Sequence, residues 1–257
     1  MQSDSKDHLE RCINSVATES FRDQADRDYI TARLACRYGL YPQFLWASQQ
    51  AVEKYLKAIL LYNRIPATEI KHDLDKALNF TRRLPFEIEL SDQSKGFIKH
   101  LSKYGEYRYL EIPYYANGYL MIDLDLTVWE LRRYCQVLNS LVSDNSEEEE
   151  TLLKKALIDI KKSKFEQKYK FKLHSGLLEK IIEERNHPNR SALLWQNAIF
   201  SSRNRKTIRV KNHFYAQNTI LSIFPNILDE LKKYIYISKK LANAYREHQK
   251  TNNQNSK

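Results

Sequence analysis

Glycine, proline and cysteine are scarce in this sequence. Five Gly and six Pro among 257 residues favour long helices with short connections and argue against a sandwich or a barrel. The three cysteines, Cys12, Cys36 and Cys135, are odd in number and widely spaced. We therefore expect reduced, mostly buried cysteines and no metal site. Gly-rich phosphate loops and nucleophile motifs are also lacking, so no cofactor is expected.

Long apolar runs are lacking as well. No run of eighteen apolar residues occurs, and residues 1–10 are polar and charged. The sequence therefore predicts neither a membrane span nor a signal peptide, and we expect a cytoplasmic protein.

Charge is distributed unevenly. Residues 147–257 hold 23 of the 42 Lys and Arg but only 12 of the 32 Asp and Glu, so the whole net charge of +10 arises there. Such asymmetry favours an acidic partner, with nucleic acid the commonest candidate. The alternative is an ordinary solvated lysine-rich surface.

Residues 5–142 have the periodicity of a helical bundle. The spacing predicts helices over 5–17, 22–38, 42–63, 73–83, 92–104 and 123–142, separated by loops that include a tyrosine-rich segment at 107–119. In the helix 42–63, apolar residues at helical spacing form one stripe: Phe44, Ala51, Val52, Tyr55, Leu56, Ile59 and Leu60. We expect that stripe at the centre of an antiparallel up-and-down bundle of about five helices.

Residues 147–245 form the second predicted part, with the boundary at 143–146 and a polar tail at 246–257. A helix should start at Ser146, because Ser is a favourable N-cap and the four Glu that follow it in the first turn complement the helix dipole. Residues 193–200 and 206–215 read as a small β-hairpin, and a last helix should follow Pro225. The predicted fold class is therefore mostly α, a helical bundle followed by a basic α+β part.

Three short motifs carry a family resemblance. Residues 49–58 read Gln-Gln-Ala-Val-Glu-Lys-Tyr-Leu-Lys-Ala, His72-Asp73-Leu74 follows, and Tyr104-Gly105-Glu106-Tyr107-Arg108-Tyr109 comes later. In this order the motifs resemble the HEPN family of small helical-bundle domains over about residues 5–142. The resemblance implies a homodimer through this part. It also implies a genetic context of toxin–antitoxin, CRISPR-linked or other phage-defence systems.

Many HEPN domains are metal-independent ribonucleases with an Arg, four to six intervening residues, and a His on the final helix. None of the seven histidines here has an Arg at that distance; Arg64 to His72 and Arg205 to His213 each have one residue too many. Lys95 to His100 has a permitted spacing, but lysine lacks the planar fork that arginine offers a phosphate. The sequence therefore lacks the usual nuclease pair, and His72 and Arg108 are the catalytic candidates that remain. A structural role for His72, capping a helix or bonding a loop carbonyl, is the alternative.

These observations favour a HEPN-like protein that associates with RNA or nucleotides and lacks the usual nuclease pair. One alternative is a ribonuclease with a non-standard site, for example Arg108 with His72. The other is a helical scaffold for a partner protein encoded nearby, such as a nucleotidyltransferase.

A cluster of cations is the predicted nucleic-acid contact. Five of the nine residues 203–211 are basic: Arg203, Arg205, Lys206, Arg209 and Lys211. Trp195, Phe214 and Tyr215 lie near enough in sequence to offer stacking faces for unpaired bases, unless they belong to the core.

Overall fold

The computed structural model describes residues 2–104, 114–138, 146–164, 166, 168–205, 207–210, 214–237, 239 and 242–247. Its longer helices are α1 (Gln2–Val16), α2 (Asp23–Arg37), α3 (Tyr41–Tyr62), α4 (Leu74–Phe80), α5 (Asp92–Tyr104), α6 (Leu120–Arg132) and α7 (Ser146–Lys162). Shorter ones are α8 (Leu177–Glu183), α9 (Arg190–Leu194), α10 (Ile220–Ile223) and α11 (Leu228–Leu231). The strands β1 (Tyr114–Asn117) and β2 (Phe214–Gln217) form a two-stranded antiparallel sheet. The fold class is confirmed: the described chain is mostly helical with one small sheet.

Helix α3 is the centre of the bundle, because α1, α2, α4, α5 and α6 all contact it. Gly39, with φ of 73°, turns the chain after α2, and Pro42 lies in the first turn of α3. The predicted stripe from Phe44 to Leu60 is entirely buried. Other faces of the helix are buried too, including Gln49 and Glu53, as expected for a helix with neighbours on all sides.

The first two predicted helices are continuous, which corrects the break expected between them. A π-helical segment, Ala17–Arg22, joins α1 to α2 without leaving helical backbone geometry. The Thr18 hydroxyl contacts the Asn14 carbonyl at 2.8 Å and the Tyr62 hydroxyl at 2.6 Å. Ala17 is fully buried. This wide turn therefore stays packed against α3 and does not open into a loop.

The next helices begin where their capping residues predict. Asp73 accepts a hydrogen bond from the Lys76 backbone N–H at 2.9 Å and so caps α4. Ser91 Oγ accepts from the Ser94 N–H at 3.2 Å at the start of α5. A short 3-10 turn, Thr81–Arg83, ends the α4 segment close to the predicted residue.

Helix α6 is shorter than predicted, since it spans Leu120–Arg132 rather than 123–142. After it the backbone tightens, with Cys135 N–H bonded to the Arg132 carbonyl at 2.9 Å. The Arg133 guanidinium donates to the Ile160 carbonyl at 2.6 Å and to Ser163 Oγ at 3.1 Å. The end of α6 is therefore bound to α7, which the periodicity of the sequence does not reveal.

The predicted hairpin of 193–200 with 206–215 is wrong. Asn197 Oδ1 accepts from the N–H groups of Ile199 (3.0 Å) and Phe200 (2.8 Å), and Asn197 Nδ2 donates to the Leu193 carbonyl. These bonds fold 193–200 into the end of α9 and a turn. Strand β2 pairs instead with β1, whose residues were expected in an irregular loop. The partner strand thus lies about a hundred residues earlier in the chain.

The last predicted helix is also interrupted. A 3-10 turn, Pro225–Ile227, leads into α11, and helical backbone is found again at residue 239 and at residues 242–247. Leu221, Leu228, Ile237, Ala242 and Tyr245 form a small separate apolar cluster here. The remainder of the predicted tail, 248–257, lies outside the described residues.

One apolar core joins the bundle to the segment that follows it. Ile160, Leu178, Ile181, Leu193 and Phe200 belong to the same buried cluster as the stripe of α3. The domain boundary at 143–146 stays a prediction, because residues 139–145 lie outside the described part of the chain.

Two buried arginines reinforce this contact. Arg132 bonds Asp26 (2.8 and 2.9 Å) and Glu179 (2.7 Å to each oxygen). Arg33 bonds Asp125 and donates to the carbonyls of Ala192 and Trp195. Burial raises the pKa of Asp26, although Arg132 opposes it, whereas at Glu179 the attraction of Arg132 and hydrogen bonds outweigh burial and lower the pKa.

The cysteines are free, as predicted, but only Cys135 is fully buried. Cys36 is half-buried, and burial raises its pKa to about 11. Cys12 is exposed on α1, which corrects the expectation of mostly buried cysteines.

Candidate nucleic-acid interface

The predicted cation cluster is partly described. Arg203 and Arg209 are exposed, and neither makes an ion pair within the described residues. Arg205 is half-buried and donates from Nη1 to the Leu194 carbonyl at 2.9 Å, so it helps to hold the turn. Lys206 and Lys211 lie outside the described residues. Of the cluster, Arg203 and Arg209 are therefore the cations that the structure shows facing solvent.

Residues 207–210 belong to no strand in the described part of the chain. Ile208 and Val210 are half-buried while Thr207 and Arg209 are exposed, so half-buried and exposed residues alternate. The Arg209 backbone N–H donates to Gln196 Oε1 at 2.9 Å. The cations thus lie along the turn that follows α9.

Beside this turn, Arg37 bridges two aromatic rings. Its guanidinium carbon lies 5.3 Å from the ring centroid of Trp195 and 5.9 Å from that of Tyr38. Trp195 is half-buried and has a cation over its ring, so it is a less open stacking face than predicted.

Exposed rings lie on the two-stranded sheet; we call Tyr115 and Phe214, which share one of its faces, the aromatic surface. Phe214 is 69% exposed, Tyr215 39% and Tyr115 38%. Tyr115 and Phe214 stack across the strands with centroids 5.8 Å apart and planes 19° apart. On the opposite face of the sheet, Tyr215 lies against Tyr41 of α3, with ring centroids 5.0 Å apart. Two of the three predicted stacking residues, Phe214 and Tyr215, are therefore on the surface.

The aromatic surface continues onto the end of α5. His100 lies 5.0 Å and Tyr104 5.5 Å from the ring of Tyr115, and Lys103 Nζ is 5.0 Å from the Tyr104 centroid. Burial, aided by the charge of Lys103, lowers the pKa of His100 to about 4, so the imidazole is neutral at pH 7. Lys103 therefore lies at the edge of the face that carries Tyr115 and Phe214.

His72 and Arg108 are not brought together by any described contact. The His72 side chain is 73% exposed, and its Nδ1 lies 3.2 Å from Glu53 Oε2. Its carbonyl accepts from Gln49 Nε2 at 3.5 Å, while the neighbouring residue Asp73 caps α4. Arg108 lies outside the described residues, as does most of the third motif of the resemblance. The described contacts of His72 therefore attach its loop to α3.

No motif in the sequence indicated that four further residues lie near the predicted nucleic-acid contact: Arg37, Tyr41, His100 and Tyr115. The tyrosine-rich composition of residues 107–119 was the one sequence feature that pointed to Tyr115. The spacing of residues could not reveal these neighbours, because β1 and β2 meet only in the tertiary structure.

Among the described residues, no group of His, Cys, Asp and Glu is arranged to hold a metal ion. No described helix combines the length and the apolar character that crossing a membrane requires.

Comparison with known proteins gives one match. A family model described as HEPN domain matches residues 18–119, which covers α2 to α5 and strand β1. No curated protein and no solved structure matches the chain. A HEPN domain supports a function associated with RNA or nucleotides in general terms. The N-terminal part of this chain therefore carries a HEPN domain.

Proposed function

We propose that this protein binds single-stranded RNA and does so without the usual HEPN nuclease pair. The observation that carries the proposal is the stacked, exposed pair Tyr115 and Phe214 on the sheet between the HEPN domain and the basic part. Unpaired bases stack on such rings whatever their sequence.

The surrounding charge supports the same ligand. Lys103 lies beside Tyr104 at the edge of the aromatic surface, and Arg203 and Arg209 are exposed cations of the basic part that also contributes Phe214. Cations of this kind would meet the phosphates of a single strand whose bases stack on the rings. A duplex keeps its bases stacked internally and gains less from exposed rings.

Fluorescence anisotropy with a labelled oligouridine tests the aromatic contact. Phe214→Ala should weaken binding roughly 5- to 150-fold, which corresponds to about 1–3 kcal/mol per stacked base. Tyr236→Ala, which removes an 88% exposed ring outside the aromatic surface, is the matched control and should bind as wild type. Unchanged affinity in folded Phe214→Ala contradicts the proposal, as does a preference for duplex RNA.

The salt dependence of the same titration tests the charges. Replacing Arg203 and Arg209 together with Ala should flatten the log–log slope by about 1.4, since each phosphate contact on a single strand contributes about 0.7. Arg27→Ala with Lys180→Ala removes two exposed cations elsewhere and should leave the slope unchanged.

The proposal also concerns cleavage and context. With no Arg–His pair at the family spacing, purified protein should leave mixed RNA intact. Cleavage that persists through purification and disappears in Arg108→Ala or His72→Ala would support the non-standard ribonuclease instead. Toxin–antitoxin or phage-defence neighbours, including a partner gene, are the genomic setting that we propose for this protein.

A further inference from the structure

A cationic cavity lies in the segment that follows the HEPN domain. Its volume is about 570 Å³, within the range of roughly 300–1,000 Å³ typical of small-molecule sites. The 3-10 turn Lys168–Lys170, helix α8, the start of α9 and residues 199–202 enclose it. It lies outside the residues that match the HEPN family and outside the aromatic surface.

Both carboxylates that line the cavity are neutralised. Glu179 is bonded at both oxygens by Arg132, and Glu183 pairs with Lys172 Nζ at 2.6 Å. Four further lining cations make no ion pair with any residue that the structure describes: Lys168, Lys170, Arg185 and Arg190. The cavity is therefore an uncompensated cluster of positive charge, which favours an anionic ligand.

The cations differ in their freedom to meet that ligand. Arg190 donates from Nε to the Ile182 carbonyl at 3.0 Å. This bond orients the guanidinium and leaves the N–H groups of its Nη atoms to donate to a ligand. Lys170 and Arg185 are exposed at the rim. Lys168 has its ammonium 5.4 Å from the ring centroid of Trp129.

Aromatic, aliphatic and serine side chains form the remaining wall, the aliphatic ones being Ile182 and Ile199. Phe171 is half-buried, Phe200 is buried and Ser202 is exposed. An anion alone, such as a sulfate, would occupy a small part of a cavity of this size. A planar base against the aromatic wall, with phosphate among the cations, matches both features.

We propose that this cavity binds a nucleoside phosphate, with Lys170, Arg185 and Arg190 contacting the phosphate groups. The ligand comes either as a free nucleotide or as the phosphorylated 5′ end of an RNA chain, because both present the same chemistry. The proposal is independent of RNA binding at the aromatic surface.

Isothermal titration of the full chain with each ribonucleoside diphosphate tests the cavity. At least one of ADP, GDP, CDP and UDP should bind more tightly than about 1 mM, and its nucleoside at least tenfold more weakly. Lys170→Ala with Arg185→Ala should weaken diphosphate binding roughly 10- to 150-fold, as expected for lost charge-assisted hydrogen bonds. Both side chains are exposed, so the variant should keep the wild-type circular dichroism spectrum and Tm.

Two controls separate this proposal from the RNA contact. Lys180→Ala removes an exposed cation of α8 that does not line the cavity, and Phe214→Ala alters the aromatic surface; both should bind diphosphates as wild type. An oligouridine with a 5′-phosphate that binds more tightly than its 5′-hydroxyl form, only while the cavity is intact, identifies the RNA end as the source. Absence of diphosphate and of 5′-phosphate binding in wild type, or binding unchanged in the double variant, overturns the proposal.

Discussion

Glu53 Oε2 in the middle of α3 lies 3.2 Å from His72 Nδ1, at the end of the loop that leads to α4. The other oxygen of Glu53 accepts from Lys57 Nζ at 2.6 Å, and Lys57 also donates to the Lys71 carbonyl at 2.6 Å. The Glu53 side chain is only 5% exposed, whereas that of His72 is 73% exposed. Two motifs of the family resemblance, far apart in sequence, therefore meet in one contact that holds this loop.

The first prediction concerns this contact. Glu53→Gln should lower the free energy of unfolding by about 1–3 kcal/mol, because a buried, charge-assisted acceptor is lost. His72→Ala should cost less than about 1 kcal/mol, since the imidazole is exposed. Urea denaturation measures both. Glu69→Gln, the same substitution at an exposed surface pair, is the control and should stay within about 0.5 kcal/mol of wild type. A larger loss for His72→Ala than for Glu53→Gln contradicts this ranking.

The second prediction concerns Arg132, which joins the bundle to α8. Arg132→Met should destabilise the protein by about 3–5 kcal/mol, because it strands Asp26 and Glu179 without a cation. Adding Asp26→Asn to that variant should restore part of the loss, since one buried carboxylate is then removed. Arg27→Met, on an exposed turn of α2, is the matched control. Guanidinium denaturation of these variants and of Asp26→Asn alone provides the measurement, and a loss in the double variant equal to the sum of the two single losses would argue against a coupled pair.

The third prediction is a pH dependence that arises at His100. Its pKa is lowered to about 4 in the folded chain against about 6.5 when unfolded, so between these values the unfolded chain binds more protons. Stability should therefore fall as pH decreases from 6.5 to 4, by about 1–2 kcal/mol after allowance for partial exposure.

His100→Phe should flatten this part of the stability profile. His100 Nε2 is buried and bonds no described residue, so the phenyl ring sacrifices no hydrogen bond there. His174→Gln, on an exposed turn, is the matched control. Thermal unfolding at half-unit pH steps measures the profiles, and an unaltered acid limb in folded His100→Phe would locate the dependence elsewhere.

The fourth prediction is a homodimer through the HEPN domain, which we infer from the family. Light scattering at micromolar protein in moderate salt should give twice the 30.6 kDa of one chain. A specific two-fold contact of this kind buries roughly 1,200–2,000 Å² in total. A monomer mass under these conditions contradicts the prediction.

The sequence by itself determined the local features of this protein. The stripe of α3, the caps at Asp73 and Ser91, Gly39 after α2 and the start of α7 all follow from periodicity and from short-range hydrogen bonding, which act within a few residues. The HEPN motifs and the basic cluster that contains Arg209 were also within reach of the sequence, whereas for Phe214 and Tyr215 it left exposure and burial in the core as alternatives.

Tertiary structure decided what joins these parts. Asn197 captures the backbone donors of Ile199 and Phe200, so the expected hairpin gives way to a turn, and β2 pairs with β1 from the other half of the chain. Arg33 and Arg132 find partners about 50 to 160 residues away, which no spacing rule encodes. The aromatic surface exists only because β1 and β2 pair across about a hundred residues, whereas the cationic cavity is formed by the packing of α8, α9 and the turn Lys168–Lys170 within residues 168–202. Their composition is written in the sequence, but their proximity is a consequence of burial and of satisfying buried polar groups.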